Sequence, residues 1–346
     1  MFHLFSNCLG IDLGTVQTTI YQWGKGVVVS EPSVVAVNDA TGQVVAAGRE
    51  AGRMLGRTPS GITAVRPLRD GVIADFSNTQ HMLKYFIRKG SAPSVFRGAN
   101  VVIAVPTAIT EVERRAVEEA ARQAGARGIY LIDQPLAAAL GADLDITQPR
   151  GRMVVDIGGG TTEVAVVSLG GTAVRQSVKI GGSTFDRDIA DYVRRKYNIF
   201  IGETTAEQIK IQIGSVFGGG EQMTVKGRSL LSGLPAGVQV EADEVCAVMK
   251  SGVDRMVDAV RQTLENTPPE LAADIAVDGI LMTGGTSQLR GLDKLISAAT
   301  GIAAAVTESP TWDVAKGAGK MAEKMFKERR GLPREEEREY GLAQSE

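Results

Sequence analysis

The chain has 346 residues, 43% of them hydrophobic and 23% charged, which gives room for two hydrophobic cores and excludes a wholly disordered chain. Its net charge of −2 argues against a broad nucleic-acid-binding surface. Two cysteines, Cys8 and Cys246, cannot staple a chain this long and point to a reduced, cytosolic setting; His3 and His81 lie far apart, and no Cys/His cluster has zinc spacing.

In chain order, the opening MFHLFSN is apolar but too short and uncharged for a secretory signal. Phe2, Leu4 and Phe5 suit either a small membrane-touching anchor or a terminus tucked into a core, and both readings stay open. LGIDLGTVQTTIY, from Leu9, reads as strand, Asp-Gly loop and strand. Gly24-Lys25-Gly26 marks a hairpin into VVV, and SVVAV and QVVAAG are strands around a turn at Asp39 and Gly42. A mixed region runs to about residue 100. VVIAVP is a buried strand ending at Pro106, and Thr110 with Glu113 predicts a capping box opening the helix VERRAVEEAARQAG, stopped by Gly125. IYLI is the next strand, and Pro135 opens the helix LAAALGA.

From about Gly151 the pattern restarts, with three strands through VRQSVKI and helices beginning near Thr184 and Thr204. A polar stretch from SVFGGG to VQV reads as a small strand-rich subdomain, followed by a long helix from about Ala242 to Glu265. DGILMTGG is a buried strand ending in glycines, and GLDKLISAATG is a helix. The charge-dense tail predicts a last amphipathic helix to about Arg330 and then a solvated end. No apolar run approaches the roughly 18 residues of a membrane span.

The restart is a duplication. MVVDIGGGTTEVAVV repeats the pattern of LGIDLGTVQTTIY 144 residues later, with Asp12 matching Asp156, Gly14 matching Gly158 and Thr18 matching Thr162. Strands alternating with helices in two copies imply an α/β fold with two smaller insertions. A strand, Gly loop, strand unit presents several backbone N–H groups on one concave side, because glycine reaches the conformations that aim them inward. Threonine hydroxyls add donors. Two such loops facing each other would clamp a polyphosphate, with Asp12 and Asp156 holding Mg²⁺ mostly through its waters. Ordinary Gly-turned hairpins are the competing reading, weakened by the matched aspartates and by a third element, MTGGTSQLRG, whose Gly284 and Gly285 end a buried strand. The chain has no P-loop, and the Rossmann fingerprint fails because its third glycine is Glu163.

These elements, in this order, resemble the actin/DnaK/sugar-kinase ATPases, and most closely the MreB family of bacterial actins. IDLGT, EPSVVAV, MLGRTP, RPLRDGVIADF, EVERRAVEEAARQAGAR, VVDIGGGTTEVAVVSLGG, RRKYNIFIGETTAEQIK, TPPELAADI and GLDKLIS carry the resemblance over about residues 8 to 320. It implies duplicated actin-like (ribonuclease H-like) domains with ATP and Mg²⁺ in the cleft between them. The first domain is expected at 1–143 plus 316–335, with an insertion at about 31–70. The second is expected at 144–315, with an insertion at about 183–245, and 336–346 is a charged tail. The resemblance implies homopolymer filaments, paired as protofilaments, at the inner face of the cell membrane. It further implies a role in cell-wall elongation and rod shape, with partners such as MreC and RodZ. Asp12, Gly14, Thr15, Val16, Gln17 and Thr18 fall on the first phosphate loop. Asp156, Gly158, Gly159, Gly160, Thr161 and Thr162 fall on the second. Gly284, Gly285 and Thr286 match the adenosine motif, and Glu207 and Lys210 fall where the family holds adenosine. Glu207 also reads as the third residue of a capping box with Thr204, and Lys210 as a solvated helix lysine.

Gln134 stands where the family usually carries a glutamate that positions the attacking water, and with Asp12, Asp156 and Thr161 it completes the expected catalytic set. A glutamine orients water but does not take its proton at neutral pH, so slow ATP hydrolysis is expected, with a nucleotide-binding paralogue of little turnover as the alternative. Asp133 beside it is expected to point away from the site. Gln17, Thr286, the GGSTFD loop, Lys316 and FGGGEQ also depart from the family's usual residues and suggest a specialised member. In the family an apolar loop enters lipid. Here that position is APSVFRGAN, with Val95 and Phe96 at its tip and Arg88, Lys89 and Arg97 around it, although Phe96 also suits a core position in the next strand. A small-molecule kinase of the same superfamily lacks a placed acidic base, a DnaK-like chaperone lacks room for a peptide-binding domain, and an FtsA-like anchor fits the 31–70 insertion poorly.

Overall fold

The computed structural model describes residues 8–91 and 98–328. The membrane expectations at Phe2, Leu4, Phe5, Val95 and Phe96, and the charged tail expected at 336–346, lie outside the described residues; the last helix, expected to about Arg330, is Asp313–Glu328.

Two five-stranded sheets repeat one topology. The first runs Gly128–Asp133, Asn100–Val105, Cys8–Leu13, Gln17–Gln22, Gly26–Pro32. The second runs Ala304–Val306, Ile280–Thr283, Arg152–Ile157, Thr162–Ser168, Gly171–Val178. In each, the Asp-bearing strand is central, pairing parallel on one side and antiparallel with the strand after its loop. The register repeats as well. Asp12 lies opposite Thr19 and Leu13 opposite Thr18, as Asp156 lies opposite Glu163 and Ile157 opposite Thr162. The 144-residue repeat is therefore a repeat of hydrogen-bond register, and both aspartates stand at the same end of equivalent strands.

Each sheet has its own core. Leu9, Ile11, Ile20, Ile103, Leu83 and Phe86 fill the first, and Met153, Ile157, Phe185, Ile189, Met256 and Met282 the second. Fully burying such a side chain contributes about 1.5–3 kcal/mol. The helix Phe76–Gly90, inside the region left unresolved by sequence, buries Thr79, Met82, Leu83, Phe86, Ile87 and Gly90. That i, i+3, i+4, i+7 stripe faces the first core, and Asp75 caps it by accepting from Asn78 N–H.

A third cluster joins the halves. The helices Gln134–Gly141 and Asp313–Glu328 lie together between the sheets, packing Leu136, Ala138, Val314, Ala318 and Ala322 against Val102, Val154 and Val167. Close approach demands glycine here. A Cβ on Gly10 would lie 2.5 Å from the Ala318 carbonyl carbon, and one on Gly317 would lie 2.6 Å from that of Ala137. Lys316 closes this junction: its Nζ lies 2.5 Å from Asp143 Oδ2, and Lys320 pairs with the same carboxylate.

Each half carries a three-stranded outgrowth. Val44–Ala47, Val35–Asn38 and Ile62–Val65 form one, and Ile199–Phe200, Gln222–Ser229 and Pro235–Glu241 the other. The Thr110–Glu113 capping box forms in both directions. The one expected at Thr204–Glu207 does not. The helix begins a residue earlier, at Glu203 with Gly202 as N-cap, so Thr204 sits inside the first turn and Glu207 faces the interior of the cleft. Lys89, expected among the cations around Val95 and Phe96, has its Nζ 2.5 Å from the buried Glu31, which also accepts from Arg49 N–H at 3.0 Å.

Candidate functional site: a cleft between matched loops

A cavity of about 390 Å³ opens between the two halves. Its walls are built from the strand ends already described. Gly158 N–H donates to Thr161 O at 2.9 Å, which closes the second loop into a tight turn. The loops touch across the cleft: a Cβ on Gly159 would lie 2.9 Å from Val16 Cβ, and one on Gly160 3.0 Å from Thr15 Cβ. Side chains at these two glycines would force the halves apart. Gly71 N–H donates to Thr15 Oγ1 at 2.9 Å, fixing the first loop from behind. At the mouth, Arg66 Nε pairs with Glu203 across the cleft at 2.8 Å while its Nη1 donates to Val16 O at 3.2 Å.

Of the residues expected at the site, Asp12, Gly14, Thr15, Val16, Gln17, Gln134, Asp156, Gly158, Gly159, Gly160, Thr161, Glu207, Lys210, Gly284, Gly285 and Thr286 all line the cavity. Thr18 and Thr162 do not. Both are fully buried behind their loops, Thr18 sharing a 2.8 Å hydrogen bond with Ser33 and Thr162 donating to Ile180 O at 2.8 Å. Strand alternation turns them away, and Thr19 lines the cavity in place of Thr18. Asp133 is outside the cavity and faces Arg175 of the other half at 3.5 Å.

The electrostatics single out two carboxylates. Burial pushes Asp12 up to about 7, against the pull of the Gln134 side chain, and its Oδ1 is enclosed with no partner among the described residues. Burial also raises Asp156 well above the carboxylate range, and Asp12, Glu163 and Asp313 raise it further by repulsion. These are two buried carboxylates whose mutual repulsion a cation would relieve. Among the described residues, no three His, Cys, Asp or Glu side chains converge as a metal cage. Two carboxylates lining one cavity suit a hard divalent ion that keeps most of its waters, as Mg²⁺ does.

Gly284, Gly285 and Thr286 line the cavity beside the second loop. Gly284, at φ 83°, follows the strand Ile280–Thr283; a Cβ there would lie 2.5 Å from the Ile157 carbonyl carbon. Thr286 Oγ1 donates to Gly158 O at 2.8 Å, joining this element to the second loop. Lys210 is no solvated lysine: its Nζ lies 2.8 Å from Asp186 and donates to Gly182 O at 3.1 Å. Burial raises Asp186 to about 6 even against that ammonium. Sequence reasoning missed Asp186, whose only signal was its place in GGSTFD, and Glu163, which is fully buried behind the second loop.

The MreB/Mbl family model matches residues 6–330. This chain belongs to the MreB/Mbl family. It is 46% identical over 326 residues to the cell shape-determining protein Mbl of Bacillus subtilis (strain 168), covering 94% of this chain and 98% of that one. It is 49% identical over 327 residues to the cell shape-determining protein MreB of Escherichia coli (strain K12), covering 92% and 94%. Among solved structures, MreB5 of Spiroplasma citri bound to ADP superposes with a TM-score of 0.87 at 36% identity, covering 95% of this chain and 99% of that one. The same protein bound to AMPPNP matches equally, at 37% identity. A MamK double helical filament, at 21% identity and a TM-score of 0.77, shares the fold, covering 94% of this chain and 99% of that one. The fold is thus actin-like, and this member is an MreB-like cytoskeletal protein. Gln134 opens the helix Gln134–Gly141 beside Asp12.

Proposed function

We propose that the cleft binds ATP with Mg²⁺ and that nucleotide binding drives assembly into paired, membrane-associated filaments that organise cell-wall elongation and rod shape. The observation that carries the reading is the pair of matched Asp-Gly loops meeting across the cavity, Gly159 against Val16. The MreB5 relatives bound to ADP and AMPPNP and the shape-determining relatives support it. The division into a first domain of 1–143 with 316–335 and a second of 144–315 is supported by the repeated sheet order and by the closing helix packing on the first sheet.

Backbone amides of both loops hold the phosphates, Glu207 and Lys210 flank the ribose side, and the bare backbone at Gly284 and Gly285 lets the base approach. Asp12 and Asp156 would hold Mg²⁺, which neutralises charge on the phosphates. Gln134 donates its amide to Asp12, which leaves its carbonyl oxygen to orient a water without taking its proton. Hydrolysis is therefore slow, because positioning and charge neutralisation operate while a base is missing. Membrane contact through Phe2, Leu4, Phe5, Val95 and Phe96, and partners such as MreC and RodZ, complete the proposal. Among the described residues, no helix is long and apolar enough to cross a membrane.

Electron microscopy with ATP, ADP and AMPPNP, phosphate release, and co-sedimentation with anionic liposomes test this together. Filaments with ATP and faster phosphate release in Gln134→Glu are expected. Purified protein indifferent to adenine nucleotides would overturn the reading.

A further inference from the structure

Glu163 is fully buried, and the cavity does not reach it. It stands opposite Asp156 on one side and Ser177 on the other, in the middle of a cross-strand row of polar side chains. Its Oε2 accepts two hydrogen bonds from Thr107 of the other half, from N–H at 3.0 Å and from Oγ1 at 2.6 Å. Its Oε1 accepts from Ser177 Oγ at 2.6 Å, and the Thr161 hydroxyl bonds the same carboxylate. A buried carboxylate costs several kcal/mol unless fully paired, and this one draws its donors from both halves.

The chemistry follows from counting protons. A threonine hydroxyl has one proton and two lone pairs. With that proton committed to Glu163, Thr161 faces the cavity with lone pairs only. It then accepts from a water beside it and leaves that water's own lone pair free for an incoming phosphorus. Gln134, with its amide on Asp12, presents a second acceptor of the same kind. The Thr107 bonds cross from one half to the other.

We propose that Glu163 is a positioning residue for hydrolysis, tying Thr107 of one half to Thr161 of the other and aiming the Thr161 oxygen at the attacking water only in the closed cleft. This rests on the reading of the cleft as an ATP site. Glu163→Gln is the direct test. Glutamine must place an NH₂ at one end of the row, where it meets a hydroxyl as donor to donor or turns the Thr161 proton into the cleft.

In the full-length protein, single-turnover phosphate release from Mg-ATP and the affinity for a fluorescent ADP analogue are measured side by side. Glu163→Gln is expected to release phosphate about 10-fold more slowly with ADP affinity within about twofold of wild type. Thr107→Val, which removes the hydroxyl donor from the opposite half, should show the same split, and Thr107→Ser should restore the rate. The Thr107 pair decides the matter if Glu163→Gln does not fold. Wild-type rates in Glu163→Gln and Thr107→Val overturn the proposal, and so does a parallel loss of rate and affinity, which marks a merely structural role. Wild-type protein that binds ADP but releases no phosphate overturns the hydrolysis reading and this inference with it; failure confined to the variants' prediction leaves that reading standing.

Discussion

Nucleotide binding with Mg²⁺ should tighten as pH rises from 6 to 8, and Asp12 sets the size of the effect. Its carboxyl is raised from 3.8 to about 7 by burial, so in the free protein at pH 6 it carries a proton roughly ten times as often as not. The proton must leave before the carboxylate can face a cation. Linkage then weakens the apparent affinity at pH 6 by about 10-fold relative to pH 8. Asp156 is shifted in the same direction, partly by Asp12 itself, and the two titrate as a pair, so the total dependence is at least as steep. The sign carries over to stability. A carboxyl whose folded pKa is raised binds more protons folded than unfolded, so the nucleotide-free protein loses stability as pH rises from about 4 to 7, and Mg-nucleotide restores it. Isothermal titration of Mg-ADP at pH 6, 7 and 8, in several buffers to count released protons, reads both numbers. Asp12→Asn should flatten most of the pH dependence and weaken the requirement for Mg²⁺. A flat profile in the wild type, with no proton released at pH 6, would refute the reasoning.

Two further outcomes follow from the contacts around the cleft. Gly10→Ala should destabilise by about 3 kcal/mol or more, because its Cβ meets the Ala318 backbone rather than a movable side chain; chemical denaturation measures it, and a loss under 1 kcal/mol would mean the helix Asp313–Glu328 slides freely on its sheet. Arg66→Ala and Glu203→Ala should each speed release of a fluorescent nucleotide by up to about fivefold at low salt, the ceiling for a part-exposed pair, with less effect at 0.5 M salt; release unchanged in both would show that the mouth of the cleft is held elsewhere.

What sequence could reveal of this site divides by the range of the interaction involved. The Asp-Gly loops are local: strand, acid, glycine and hydroxyl within a dozen residues, twice, and that chemistry survives as a pattern. The Thr110–Glu113 box is local as well. The helix Phe76–Gly90 was legible in principle, since Thr79, Met82, Leu83, Phe86, Ile87 and Gly90 keep helical spacing, but its polar outer face and the mixed segments before it hid the stripe. The misplacement of Thr18 has another cause. Thr18, Thr19 and Ile20 are all buried, because this strand is covered on both faces, and hydrophobic alternation then carries no information about which threonine meets the cleft.

The glycines and acids of the interface lie beyond any local pattern. Gly10, Gly141, Gly317 and Gly319 are each unremarkable in their own segments, and only the fold reveals that they clear a path for one helix. Glu163 illustrates the limit most sharply. Along the chain it is one acid in an apolar strand, where burial alone predicts an apolar residue. Its meaning comes from Thr107, 56 residues away in the other half, and from Asp156 on the adjacent strand. A polar residue that contradicts its own strand is thus the one trace such a contact leaves in sequence. The contradiction is tolerable only when something distant supplies donors, and here the donors come from Thr107 in the opposite half of the cleft.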